Sequence, residues 1–126
     1  MKFKVKRVEH VAIIDSMSKS LSQFSTLAKS LLTMDLLDAF EATQKKTETL
    51  SKAITEKIKA DKTNVTEKDG GEYWTDKGQK EASAKIQELF EMEVEYDFPA
   101  IVDFADYPVS MANALYLLRG KLYKKA

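Results

Sequence analysis

Four acids stand two residues apart in this chain: Glu91, Glu93, Glu95 and Asp97. Rows of carboxylates are the raw material of calcium and magnesium sites. Spacing decides against that use here. Same-face residues two apart on an extended chain are separated by about 7 Å, too wide for a cage of oxygens about 2.3–2.6 Å from one ion. The residues between the acids are Met92, Val94, Tyr96 and, after Asp97, Phe98. Strict alternation of this kind marks a strand with one apolar face and one charged face. The opening Lys2-Phe3-Lys4-Val5-Lys6 alternates in the same way with the opposite charge. The two segments are expected to pair, Lys facing Glu, and no metal is expected.

Other chemistry is sparse. His10 is the only histidine and there is no cysteine, so thiolate metal sites, disulfides and a Cys–His pair are excluded. No serine sits in a nucleophile-elbow context, and Gly70-Gly71 lacks the flanking spacing of a phosphate-binding loop. The expectation is a protein that is not an enzyme and carries no cofactor. Residues that could touch a partner are Tyr73 and Trp74 beside a Gly-rich loop, and Asp103, Asp106 and Tyr107 in a late connector. Aromatics anchor interfaces, but Tyr73 and Trp74 could equally cover a core, and the two aspartates could cap a helix. Lys2, Lys4, Lys6, Arg7 and the late lysines could meet phosphates. The adjacent acidic row and a formal net charge of zero argue against nucleic acid as the partner.

Twenty basic and 20 acidic residues are unevenly placed. Residues 1–63 carry 12 Lys/Arg and 8 Asp/Glu, and residues 64–126 carry 8 and 12. Opposite halves attract within one molecule or between copies, so a homo-oligomer is one expectation. At 126 residues a single domain spanning 1–126 is expected. No apolar run is long enough to span a bilayer, and the N-terminus lacks the apolar stretch of a signal peptide. A cytoplasmic protein is the simplest expectation. Asn64-Val65-Thr66 fits a glycosylation pattern and reads as chance.

The elements that must position these residues follow from periodicity. Lys2–Val8 reads as a strand. Val8, Val11, Ala12 and Ile14 suggest a helix over Glu9–Lys19. Five serines between Ser16 and Ser25 favour a break near Leu21–Gln23, with Ser25 as the next cap. From Thr26 to Asp61 there is neither Gly nor Pro. Leu27, Leu31, Met34 and Leu37, then Leu32, Leu36 and Phe40, then Leu50, Ile54 and Ile58 predict one helix about 50 Å long. Thr43 and Thr47 stand where its apolar stripe should continue. Lys62–Thr75 reads as a loop. Asp76, with Gln79 three residues on, reads as the cap of a helix to about Phe90 that carries Ala82, Ile86, Leu89 and Phe90 on one face. A short continuation at Ile101-Val102 and a last helix from Val109 or Ser110, closed by Gly120, complete the chain. The fold class expected is α+β and mostly α. It consists of a long antiparallel helical hairpin, two shorter helices and a two-stranded antiparallel ribbon from the N-terminal and 92–98 segments.

The layout, and the run Leu-Phe-Glu-Met-Glu-Val-Glu-Tyr-Asp-Phe-Pro-Ala-Ile at 89–101, resemble a group of small uncharacterised proteins encoded by tailed bacteriophages and prophages. The resemblance rests on residues 24–60 and 72–118. Where many of those proteins begin the last helix with an Ile-Ser-Pro-like sequence, this chain has Tyr107-Pro108-Val109-Ser110. The resemblance implies a phage origin and carries no functional residue across. Together with the long, weakly seamed helix and the charge asymmetry between halves, it makes a non-catalytic protein-interaction component, in virion assembly or as a minor structural protein, the leading expectation, located in the bacterial host cytoplasm or the virion. A phage inhibitor of a host enzyme or defence complex is the alternative, and a nucleic-acid-associated protein a weaker one.

Overall fold

The computed structural model describes residues 2–99, 101–102 and 107–124, with the backbone alone at 101, 102 and 124. They fall into two compact units: Met1–Gln44 with Glu93–Ala126, and Lys45–Met92. The class is α+β and mostly helical, with four α-helices and two antiparallel two-stranded sheets, plus one short parallel pair, among the described residues.

The first unit is closed by the ribbon. Strand β1 (Lys2–Lys6) pairs antiparallel with β4 (Glu93–Asp97) in the register Lys2↔Asp97, Phe3↔Tyr96, Lys4↔Glu95, Val5↔Val94 and Lys6↔Glu93. Phe3, Val5 and Tyr96 are buried while the Lys and acid rows face out. Lys2 Nζ and Glu95 Oε1 are 3.9 Å apart with both side chains exposed, so the pair is worth at most about 1 kcal/mol. Burial of a large apolar side chain gives about 1.5–3 kcal/mol, and therefore holds the ribbon. The charges select its register.

The strand ends two residues earlier than Lys2–Val8. The chain turns at Arg7 through a 3-10 turn (Arg7–Glu9) into helix α1 (His10–Ser20). The buried face of α1 is His10, Ile13, Ser16, Met17 and Ser20, and Val8 and Val11 point to solvent. The apolar stripe is thus displaced from the one the valines suggested, because two serines lie on the packed face.

Helix α2 (Leu27–Lys59) is one unbroken 33-residue helix. Thr26 begins it: its hydroxyl accepts from the Lys29 amide at 3.3 Å and its carbonyl from the Ser30 amide. Thr26, rather than Ser25, is therefore the cap. Thr33, Leu36, Leu37 and Phe40 are buried, whereas Leu27, Leu31 and Met34 face solvent. The core of this unit joins Phe3, Val5, Ile13, Met17, Leu36, Leu37 and Phe40 to Tyr96, Met111, Leu118, Leu122 and Tyr123. Helix α4 (Ala112–Leu118) follows a 3-10 turn over Val109–Met111. Gly120, at φ 76°, reverses the chain so that β6 (Tyr123–Lys124) lies parallel to β5 (Ile101–Val102).

The second unit contains the end of α2, a β-hairpin and helix α3 (Asp76–Glu91). The expected loop is in fact two strands, β2 (Val65–Lys68) and β3 (Gly71–Trp74), paired antiparallel. Asp69 and Gly70 turn between them with φ 48° and 77°. Two left-handed residues give a turn whose twist matches the strands, and Asp-Gly is a favoured pair for it. Thr75, rather than Asp76, caps α3 by accepting from the Gly78 amide. Ala82, Ile86, Leu89 and Phe90 form its more enclosed face, as their spacing predicts.

Candidate functional site

Among the buried polar residues of the first unit is His10. It is fully buried, with Nδ1 2.9 Å from the Lys6 carbonyl and Nε2 2.7 Å from Tyr96 Oη. Tyr96 Oη is also 2.7 Å from Thr43 Oγ1. One chain of contacts thus links β1, α1, β4 and α2. Phe40 closes it edge-on to both rings, and Phe3 stacks on Tyr96.

Proton counting defines its states. Tyr96 has one proton for two partners. With His10 neutral, Nδ1–H donates to Lys6 and Nε2 must accept, so the phenol donates to the ring and the Thr43 hydroxyl completes the chain. With His10 protonated, both ring nitrogens donate and the phenol turns to Thr43. Burial lowers the His10 pKa, with nearby Arg7 adding to the effect, and burial raises that of Tyr96. Both groups are therefore neutral at physiological pH. Enclosed in this way, the chain of contacts fixes the positions of four elements. Thr43 stands in the apolar stripe because Tyr96 needs a polar partner there.

A second polar seam lies between α1 and α4. The Ser16 hydroxyl donates to the Ser110 carbonyl at 2.6 Å and accepts from the Ala114 amide at 3.3 Å. Ser20 Oγ donates to the Ser16 carbonyl and lies 2.6 Å from Ser110 Oγ. A helix start otherwise leaves its first amides unpaired, and here a neighbouring helix supplies an acceptor. Small hydroxyl side chains also let the two helices approach closely.

The expected contact residues are placed as follows. Tyr73 is 54% exposed on β3, its ring lying over Gly71. Trp74, half-buried, pairs in register with Val65. Tyr107 is engaged in the core of the first unit, edge-on to Phe24 and to Tyr123, with Lys29 Nζ 5.3 Å above its ring. Burial raises the pKa of Tyr107 and of Tyr123, whose rings meet edge-on. Asp103 and Asp106 lie outside the described residues. Tyr73 and Trp74 belong to the second unit and Tyr107 to the first.

The second unit has its own polar joint. Asn64 is fully buried, and its amide donates to the Ile58 carbonyl at 2.9 Å and to Glu81 Oε2 at 3.1 Å. Its backbone carbonyl accepts from the Thr75 amide at 3.0 Å. A Cβ on Gly78 would sit 2.0 Å from that carbonyl oxygen, so glycine is what lets α3 begin against Asn64. A side chain committed in this way is no glycan acceptor, whatever follows it in sequence. Alongside, Asp61 accepts from the Thr63 hydroxyl and amide and from Lys77, and these bonds lower its pKa to about 2.

Among the described residues no cluster of His, Cys, Asp or Glu is arranged to hold a metal, and no helix is long and apolar enough to cross a membrane. Comparison with protein-family models, with curated proteins and with solved structures finds no match.

Proposed function

We propose that the chain is a non-catalytic protein-interaction component encoded by a tailed bacteriophage, acting in virion assembly or as a minor structural protein. The observation that carries this reading is the apolar surface held out on helices and helix starts whose other faces are packed. Val109 is 91% exposed, Leu27 and Tyr116 each 76%. Apolar side chains projected from packed helical elements are pre-positioned for a partner, which lowers the ordering cost of association. The buried polar groups, in contrast, are absorbed by the fold. The resemblance of the 89–101 run to phage proteins supplies the biological setting.

The test is affinity capture of the tagged protein from phage-infected cells, with Val109→Asp/Tyr116→Asp as the comparison. The expected outcome is co-purification of phage structural proteins, reduced in the variant. Capture of a host enzyme instead would move the reading to an inhibitor. Capture of neither, with a strict monomer in light scattering at high concentration, overturns it.

A further inference from the structure

Along the solvent face of α2 one stripe runs Leu27, Leu31, Met34, Asp38, Glu41, with spacings of four, three, four and three. That is the spacing of a helix–helix seam. All five side chains are exposed, Leu27 at 76%, Leu31 at 52% and Met34 at 45%. The seam is divided: its first two turns are apolar and the next is acidic, with exposed Asp35 on the flank. Lys45, the next position in the series, ends the acidic run. Lys29 is the one basic residue between Leu27 and Glu41. It lies on the far side of the helix, over the Tyr107 ring. No ion pair reaches Asp35, Asp38 or Glu41 among the described residues. Acids three apart on one helix repel each other.

We infer that this face receives an amphipathic helix of a partner protein, one whose seam is apolar over two turns and carries lysine or arginine over the next. The inference rests on the interaction reading above and gives that reading a surface and a partner chemistry. A second copy of the chain fits poorly. Parallel pairing would set Asp38 against Asp38 and Glu41 against Glu41. Antiparallel pairing about Met34 would set Asp38 against Leu31 and Glu41 against Leu27. Only a cationic partner relieves the acids and covers the leucines at once. Helix-in-groove partners are read through such i, i+4, i+7 anchors, and the complementary charge fixes direction and register.

The probes are two labelled helical peptides: one with leucines at three successive seam positions and lysines at the next two, and its reverse. Each has a glutamate counterpart. Anisotropy titration should show the wild-type protein binding one lysine peptide, more weakly as salt rises. Asp38→Lys/Glu41→Lys should lose about tenfold in affinity for it and gain the glutamate peptide. Leu31→Asp, checked for folding by circular dichroism, should lose both. Equal binding of lysine and glutamate peptides by wild type, or binding of neither, overturns the inference. So does a concentration-dependent dimer in sedimentation that Leu31→Asp abolishes, since a second copy would then cover the face. If Leu31→Asp leaves capture of phage proteins intact while Val109→Asp/Tyr116→Asp removes it, the interaction reading stands and this face is not its seat.

Discussion

Replacing Gly78 with alanine sets two effects against each other, and the structure says which prevails. In a helix interior the change normally stabilises by about 1 kcal/mol. Here the added Cβ would lie 2.0 Å from the Asn64 carbonyl oxygen, 2.8 Å from its carbon and 2.9 Å from Cα. These are backbone atoms, so no rotamer change relieves the clash. The Asn64 backbone or the start of α3 must withdraw by roughly 1 Å before the contact becomes tolerable in a close-packed interior. That displacement stretches the Thr75 amide to Asn64 carbonyl bond and the Asn64 amide bonds to Ile58 and Glu81. Each lost bond costs about 0.5–1.5 kcal/mol, and a buried group left unpaired about 1–3 kcal/mol. After the helix gain is subtracted, Gly78→Ala is expected to destabilise by about 2–3 kcal/mol. Urea unfolding followed by the fluorescence of Trp74, the sole tryptophan and a member of the same unit, measures it. Ser83→Ala, exposed on α3, is the propensity control and should stabilise slightly. A Gly78→Ala protein as stable as wild type would refute the close-approach argument.

Other perturbations read the remaining joints. Tyr96→Phe removes the hydroxyl between His10 and Thr43 and should cost about 1–3 kcal/mol by leaving buried polar groups unpaired, measured by thermal or urea unfolding. The His10 pKa is lowered by folding, so the unfolded chain binds more protons in weak acid. Stability is then full above the unfolded value of 6.5 and is lost as pH falls from there through the lowered folded value. His10→Gln should flatten that limb of a stability–pH curve. Asp61 titrates at about 2 rather than 3.8. Its contribution is present above 3.8 and lost as pH falls towards 2, and Asp61→Asn should remove that acid limb. Glu93→Lys/Glu95→Lys sets like charges across the ribbon. It should lower stability by about 0.2–1 kcal/mol per pair, and a much larger loss would mean that the charges, rather than burial, hold β1 to β4.

What the sequence made legible follows the range of the interactions. The ribbon was readable because period-two alternation is local and the opposite charges of Lys2–Lys6 and Glu91–Asp97 named each other as partners. The α2 helix was readable because no residue interrupts it from Thr26 to Asp61. Its facing was not: Leu27, Leu31 and Met34 satisfy a stripe as well as Leu36 and Phe40 do, and only the packing chooses between them. The β2–β3 hairpin had a usable signal in Asp69-Gly70, obscured because Val65-Thr66-Glu67-Lys68 is too polar to show alternation. Gly78 read as a small helix penalty, since the backbone it approaches belongs to another element. The His10–Tyr96–Thr43 chain left one trace, a threonine where leucine was expected. Ser16 and Ser20 read as helix breakers because the helix start they serve lies 94 and 90 residues away at Ser110.

The ribbon also dictates an order of events during synthesis. Residues 2–6 leave the ribosome well before their strand partner at 93–97, and α1 waits for a helix that ends at Leu118. The unit over Lys45–Met92 is continuous in sequence, so it closes on local contacts while the opening strand is still unpaired. Contacts between distant residues form slowly because a long loop must close first. Phe3 and Val5 therefore lack their strand partner until residues 93–97 have been made, and the alternating lysines beside them keep that segment soluble until its acidic partner arrives.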